Sequence, residues 1–102
     1  MNDLVSRYKG KTTSQGHKLD VKANAGVIMI EFMHKGEYLE DYDPLVKVAR
    51  IEQAGDVYTV GWFHEDYDEP SETSEYTRKE DLIAALDAAI EKRSAEAGPL
   101  GS

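Results

Sequence analysis

The stretch that most constrains the fold is a run of β-forming residues, VIMIEFM, from Val27 to Met33. Its side chains are apolar on both faces of an extended chain, a pattern that predicts a central strand. Just before it, alternating apolar and charged residues from Lys18 to Ala23 predict a half-buried strand, and the residues NAG predict the turn between the two. The chain should therefore build a sheet outward from this central strand.

Two further strands follow in the sequence. The first is LVKVARIE, which begins after Pro44, because proline cannot donate a hydrogen bond to a strand ladder. The second is VYTVGWFH, from Val57 to His64, and the residues QAGD between the two give a hairpin signal. Four antiparallel strands in a meander are the expected result.

Helical patterns occur at both ends of the chain. Near the C-terminus, Thr77 and Glu80 have the spacing of a capping box. Behind them, apolar residues recur at helical spacing. Near the N-terminus, residues 2–8 predict a short helix that stops at Gly10. We therefore predict an α+β fold, an antiparallel four-stranded meander sheet with the C-terminal helix packed on one face and a short N-terminal helix. The apolar stripe of the C-terminal helix consists of Leu82, Ile83, Leu86, Ala89 and Ile90.

Length and composition predict one compact domain over residues 1–97. The chain has 102 residues, 40% of them hydrophobic, which suffices for one modest core. It contains no cysteine, which excludes disulfides, cysteine-ligated zinc and thiol nucleophiles. Residues 98–102, GPLGS, resemble the remnant of a cleavable expression tag. We found neither a signal-peptide pattern nor a membrane-spanning apolar run, and we expect a cytoplasmic protein.

The negative charge is concentrated in the middle of the sequence. The formal net charge is −8, yet residues 1–36 carry six Lys/Arg against three Asp/Glu. Residues 37–76 carry two Lys/Arg against twelve Asp/Glu. Such a segment repels nucleic-acid backbones and attracts basic partners.

An acidic phrase occurs twice within this segment, as EDYDP at residues 40–44 and as EDYDEP at residues 65–70. Each copy follows a predicted strand. The second and fourth strands of a meander run in the same direction, so both acidic loops should leave the same end of the sheet. The repetition therefore predicts two acidic, tyrosine-bearing loops side by side.

These loops predict a non-enzymatic protein that binds and inhibits a basic, nucleic-acid-handling protein. Carboxylates interleaved with tyrosines suit a surface that grips Arg and Lys side chains. They can also take the place of phosphates in a basic groove, as in inhibitors from phages and mobile elements. We predict no catalytic residue, cofactor or metal site. The predicted partner-binding residues are Glu37, Tyr38, Glu40, Asp41, Tyr42, Asp43, Glu65, Asp66, Tyr67, Asp68 and Glu69.

Several alternatives remain open at this point. The same charge fits an immunity protein or antitoxin that neutralises a basic toxin. The loops could also be merely solvated surface. The D-x-D pairs Asp41/Asp43 and Asp66/Asp68 could hold a divalent cation, although neither loop has the spacing of an EF-hand.

Other functions depend on residues outside the two loops. An enzyme would be centred on His64 with the neighbouring carboxylates, but no catalytic spacing connects the three histidines. Direct nucleic-acid binding would use the basic stripe listed below, against which the acidic segment argues. A dimer could form through an unpaired strand edge, at the strand ending in Glu52 or the one starting at His17. The stripe consists of Lys9, Lys11, Lys18 and Lys22.

Overall fold

Two helices and five strands make up the described part of the chain. The structure, a computed structural model, describes residues 2–33, 45–64 and 69–97. The strands form one antiparallel sheet in the order β1-β2-β3-β4-β5, which confirms the predicted α+β fold with a meander sheet. In chain order the elements are α1 (Asn2–Tyr8), β1 (Leu19–Asn24), β2 (Val27–Met33), β3 (Leu45–Ala54), β4 (Val57–Trp62), β5 (Glu72–Tyr76) and α2 (Lys79–Ala97).

The fifth strand lies just after the second acidic phrase, in a stretch for which the sequence predicted no strand. β5 pairs with β4 from Glu72, opposite Trp62, to Tyr76, opposite Tyr58. Its sequence, ETSEY, lacks the apolar alternation by which strands are recognised. On its helix-facing side, the Ser74 hydroxyl accepts a hydrogen bond from Trp62 Nε1 at 3.0 Å. The prediction of four strands was therefore one edge strand short.

The β1–β2 turn is tight because two successive residues adopt positive φ angles. Ala25 has φ 52° and Gly26 has φ 81°, while Asn24 and Val27 are Cα partners across the turn. This is the pattern of a type I′ turn, whose twist matches that of the two strands that it joins. The predicted turn at Asn24–Gly26 is confirmed.

One face of the sheet is covered by the two helices, and we call it the helix face. The buried apolar residues on this side form one cluster with α1 and α2. The predicted α2 stripe is confirmed, since Leu82 and Leu86 are fully buried, Ile90 is nearly so, and Ile83 and Ala89 pack against the same cluster. The aromatic residue Phe32 is also fully buried, as expected for a sheet-face aromatic.

The two helices run in the same direction and are joined by polar contacts. Near their N-termini, Asp3 and Lys79 form an ion pair. Near the C-terminal end of α1, the Tyr8 hydroxyl donates a hydrogen bond to Asp87 Oδ1 at 2.9 Å. Arg7 Nη2 lies 3.7 Å from the other oxygen of Asp87. Tyr8 itself is fully buried, so it fixes α1 on α2 through both packing and a hydrogen bond.

The stability that Tyr8 contributes should depend on pH on the alkaline side. Burial, and then the hydrogen bond to Asp87, raise the pKa of Tyr8 from 10 to about 12. The folded protein therefore holds the phenol proton above pH 10, where the unfolded chain has lost it. This contribution is complete below about pH 10 and is lost as the pH rises through about 12. Urea titrations from pH 9 to pH 12 should show that the parent loses about 1–2 kcal/mol more stability than Tyr8→Phe. If the parent and Tyr8→Phe lost equal amounts of stability between pH 9 and pH 12, the raised pKa of Tyr8 would be contradicted.

The first turn of α2 differs slightly from the predicted capping box. The Arg78 carbonyl accepts a hydrogen bond from the Leu82 N–H at 3.2 Å, and the helix begins at Lys79. Arg78 is therefore the N-cap residue, and Thr77 precedes it by one position. The predicted N-cap at Thr77 was wrong by one residue.

Candidate protein-binding end of the sheet

Both acidic phrases belong to connections at the same end of the sheet. At this end β2 finishes at Met33, β3 begins at Leu45, β4 finishes at Trp62 and β5 begins at Glu72. We call it the acidic end. Because β2 and β4 are each antiparallel to β3, they run in the same direction, as predicted. The connections that carry EDYDP and EDYDEP therefore start from the same end of the sheet.

Most of the predicted binding residues lie outside the described residues. Glu69 is described and is exposed to solvent. The structure therefore fixes where the strands that carry the acidic segments end, and leaves the positions of the other carboxylates as predictions. The predicted residues outside the described ranges are Glu37, Tyr38, Glu40, Asp41, Tyr42, Asp43, Glu65, Asp66, Tyr67 and Asp68.

A single guanidinium joins the strand at which the first acidic segment arrives to the strand end from which the second departs. Arg93, in the last third of α2, donates from Nε to the Lys47 carbonyl at 3.1 Å and from Nη1 to the His64 carbonyl at 3.0 Å. Lys47 lies near the start of β3, and His64 follows β4 by two residues. The bases of the two acidic segments are thus held side by side by one side chain on the helix.

The second acidic segment rejoins the sheet through Pro70. The Ser71 N–H donates to the Trp62 carbonyl at 2.9 Å. Pro70 lies against Gly61, where a Cβ atom would be only 2.5 Å from Pro70 Cγ. Because the rigid proline ring cannot move independently of its backbone, position 61 requires glycine for this close approach.

The face of the sheet opposite the helices, which we call the outer face, buries two side chains near the acidic end. Glu31 is 3% exposed and forms an ion pair with Lys22 at 2.6 Å. The hydrogen bond that the Lys22 ammonium donates to this carboxylate raises the pKa of Lys22. Phe63 is 1% exposed, and Lys47 Nζ lies 5.8 Å from its ring centre. This side of the acidic end is therefore ordered by both charge and packing.

His64 has a carboxylate neighbour, but not one of those predicted for an enzyme. Its Nε2 atom lies 3.3 Å from Glu72 Oε2, and both side chains are about half exposed. The predicted neighbours Glu65 and Asp66 lie outside the described residues. Within the described ranges, no group of three or more His, Cys, Asp or Glu side chains could hold a metal ion.

A histidine–serine pair occurs elsewhere, in the core. His17 Nδ1 lies 2.6 Å from Ser94 Oγ, and Thr13 Oγ1 lies 2.7 Å from the same serine oxygen. His17 and Ser94 are both fully buried, and the imidazole stacks on Phe32 at a centroid distance of 4.5 Å. Because no solvent reaches the serine, this cluster acts as a structural tie between residues 13–17 and α2 and not as a nucleophilic site.

One lysine of the basic stripe predicted from the sequence is neutralised by a carboxylate. All four lysines are exposed. Lys11 and Lys18 flank a turn closed by the bridge between Thr12 and Lys18, with Lys11 Nζ 5.8 Å from the Tyr8 ring centre. Lys22 instead points to the outer face, where Glu31 neutralises it. The fourth lysine, Lys9, lies at the end of α1.

Arg93, His17 and Ser94 were not predicted from the sequence as a group. A signal was present, because Arg93 and Ser94 continue the helical spacing of the apolar residues Leu86 and Ile90. Polar residues on a buried helical stripe require hydrogen-bond partners. The stripe could therefore have predicted that this end of α2 binds polar groups of the sheet.

Comparisons with known proteins found no match for this chain. No protein-family model, curated protein or solved structure matches the chain. Neither helix in the described ranges has the length and apolar character needed to cross a membrane. Any functional conclusion therefore depends on the geometry and charge of this chain alone.

Proposed function

We propose that this protein binds a basic, nucleic-acid-handling protein through its two acidic segments and inhibits it by occupying the site for nucleic acid. The observation that carries the proposal is the coincidence of charge and topology. Eight of the twenty Asp/Glu residues fall within residues 37–43 and 65–69, and these two stretches connect strands at one end of the sheet. Charges that share one end of a small domain add into a single field.

The tie through Arg93 supports the same proposal. Exposed charges more than about 8 Å apart, the Debye length at physiological ionic strength, are largely screened from each other. Two acidic segments with independent bases could separate by more than this distance and would then act as two separate patches. The guanidinium instead fixes the Lys47 and His64 carbonyls beside each other. A rigid base reduces the entropy that two acidic segments lose when they bind one partner.

The proposal predicts a loss of binding when charge is removed from the first acidic segment. The variant Glu40→Gln, Asp41→Asn, Asp43→Asn should weaken binding to the basic partner at least tenfold at low salt, mainly through slower association. Its stability should be unchanged or slightly higher, because like charges repel less. The partner would be captured from a lysate of the source organism at low salt, released at high salt and identified. Association rates would then be measured with the purified partner.

A matched control carries the same charge change at the opposite end of the molecule. Asp56, Glu80 and Asp81 are exposed, in the β3–β4 turn and in the first turn of α2. The variant Asp56→Asn, Glu80→Gln, Asp81→Asn should bind nearly as well as the parent. Equal losses in both triple variants would show that only net charge matters and would overturn the assignment to the acidic end.

Inhibition is tested separately from binding. The partner's affinity for double-stranded DNA or RNA would be measured with increasing amounts of this protein. Stoichiometric displacement of nucleic acid supports the proposal. Tight binding that leaves the partner's nucleic-acid affinity unchanged would contradict the mimicry, and capture of a basic toxin whose toxicity is blocked would favour the immunity function instead.

A further inference from the structure

The two edges of the sheet differ in how far they are covered. At the β1 edge, Leu19 donates to the Lys11 carbonyl at 2.8 Å and accepts from the Gly10 N–H at 2.9 Å. Residues 10–12 thus cover the start of β1. Among the described residues, β5 pairs with β4 alone, and three of its five residues, Glu72, Thr73 and Glu75, are exposed. The predicted edge at the strand ending in Glu52 does not exist, because β3 is central.

The backbone groups that β5 presents outward follow from the alternation of its ladder. The Trp62 carbonyl accepts from the Ser71 N–H, so this residue directs its backbone groups toward β5. Every second residue of an antiparallel strand does the same. The paired residues of β5 are therefore Glu72, Ser74 and Tyr76. Thr73 and Glu75 direct their N–H and C=O groups away from the sheet.

The side chains along this edge carry negative charge on both faces. Glu72 lies beside His64 on the helix-face side, and Glu75 lies on the outer face opposite Thr59. Glu52 is the next residue in the same cross-strand row and is also exposed. A second copy of this chain would bring like charges together across such an edge, whereas a basic strand would find complementary charge.

We propose that β5 accepts an extended, lysine- or arginine-rich strand of the basic partner, which adds to the sheet as a sixth strand. The inference rests on the proposed function for the basic character of the partner and adds how that partner docks. The outward N–H and C=O groups of Thr73 and Glu75 supply four backbone hydrogen bonds, and Glu72 and Glu75 select cations. Glu69 and Pro70, the described residues of the second acidic segment, come shortly before β5 in the chain.

An acidic edge has another established use, which is to prevent strands from pairing. Short, charged edge strands protect native proteins against aggregation. That explanation predicts that no strand binds β5, whatever its charge. The proposal predicts charge-selective pairing, so the two explanations give opposite results with a defined probe.

The probe is a synthetic seven-residue peptide that alternates lysine and valine, added to ¹⁵N-labelled full-length protein. We expect the amide signals of Thr73 and Glu75 to shift and their hydrogen exchange to slow. A glutamate–valine peptide should not bind. A lysine–valine peptide N-methylated at every residue should bind at least tenfold more weakly, because it keeps the charge and loses the backbone donors of both its edges.

Thr73→Pro tests the same edge from the side of the protein. Proline is tolerated at an edge position whose N–H faces outward, so the β4–β5 ladder should persist. Peptide affinity should fall at least tenfold in Thr73→Pro and stay within about twofold of the parent in Thr73→Val, which keeps the N–H. If Thr73→Pro does not fold, the N-methylated peptide gives the same answer with the unmodified protein.

The outcomes separate this inference from the proposed function. Peptide shifts absent from β5, or equal affinity of the N-methylated peptide, overturn strand addition even where the acidic triple variant loses the partner. Conversely, charge-selective binding at β5 supports the docking mode even if the captured partner does not bind nucleic acid, which would overturn the proposed function alone.

Discussion

Leu86→Ala is expected to lower the free energy of unfolding by about 2–5 kcal/mol, the usual range for a buried leucine. Leu86 is fully buried in the middle of α2, between Leu82 and Ile90 on the stripe that covers the sheet. Truncation removes apolar burial and leaves a cavity that the packed strands cannot fill by collapsing. Urea titrations of the parent and the variant, compared through their midpoints and slopes, measure the change.

The matched control is Lys92→Ala on the same helix. Lys92 is exposed, and alanine is an equally good helix former, so the change should stay within about 0.5 kcal/mol. If Leu86→Ala also cost less than about 0.5 kcal/mol, α2 would not hold the sheet. The acidic end would then lose its support, because Arg93 belongs to the same helix.

Local sequence patterns predicted most of the elements because each pattern had a clear boundary. β2 begins and ends at Val27 and Met33 as predicted, since the turn residues before it require positive φ angles. β4 was predicted to reach His64 but ends at Trp62. The Phe63 N–H still donates to the Val48 carbonyl, whereas the His64 carbonyl is taken by Arg93. Only the tertiary structure shows that the His64 carbonyl binds a helix side chain and not a neighbouring strand.

β5 was missed for a different reason. An edge strand needs an apolar pattern only on the side that it buries, and here that side carries Ser74, whose hydroxyl binds the Trp62 indole. With carboxylates at Glu72 and Glu75, the stretch has the composition of a solvated loop. The strand forms because it pairs with β4, and local propensity, which does not include this pairing, predicted a loop.

The sequence predicted at which end of the sheet the acidic segments start, but not the side-chain contacts that brace this end. Chain order and meander topology predict that the two EDYD segments start from one end, and the strand directions confirm it. The contacts that brace this end join residues far apart in sequence, with Arg93 bound to Lys47 and His64, and Ser94 bound to His17. No local pattern encodes such pairs, although polar residues on a buried helical stripe indicate that partners must exist.

Ser94→Ala is expected to cost about 2–4 kcal/mol, because it removes one hydroxyl that serves two buried groups. Ser94 Oγ lies 2.7 Å from Thr13 Oγ1 and 2.6 Å from His17 Nδ1, and the serine is fully buried. Each buried polar group that loses a partner costs about 1–3 kcal/mol. The change would be measured by urea titration at pH 7.

The matched control removes an exposed contact between the same two parts of the chain. Ser14 binds Glu91 one turn earlier on α2, through both its N–H and its hydroxyl. Ser14→Ala loses only the hydroxyl contact on the surface, so its cost should stay near 0.5 kcal/mol. Similar costs for Ser14→Ala and Ser94→Ala would show that the buried cluster contributes no more than a surface hydrogen bond.

A double variant tests whether the cluster acts as one unit. In Thr13→Val combined with Ser94→Ala, both hydroxyls are absent, so neither is left buried without the other. The combined cost should therefore be smaller than the sum of the two single costs, by about 0.5–3 kcal/mol. Strict additivity would mean that Thr13 and Ser94 stabilise the fold independently. A combined cost below that sum would show that residues 13–17 are fixed on α2 by a shared network, at the residue next to the arginine that holds the acidic end.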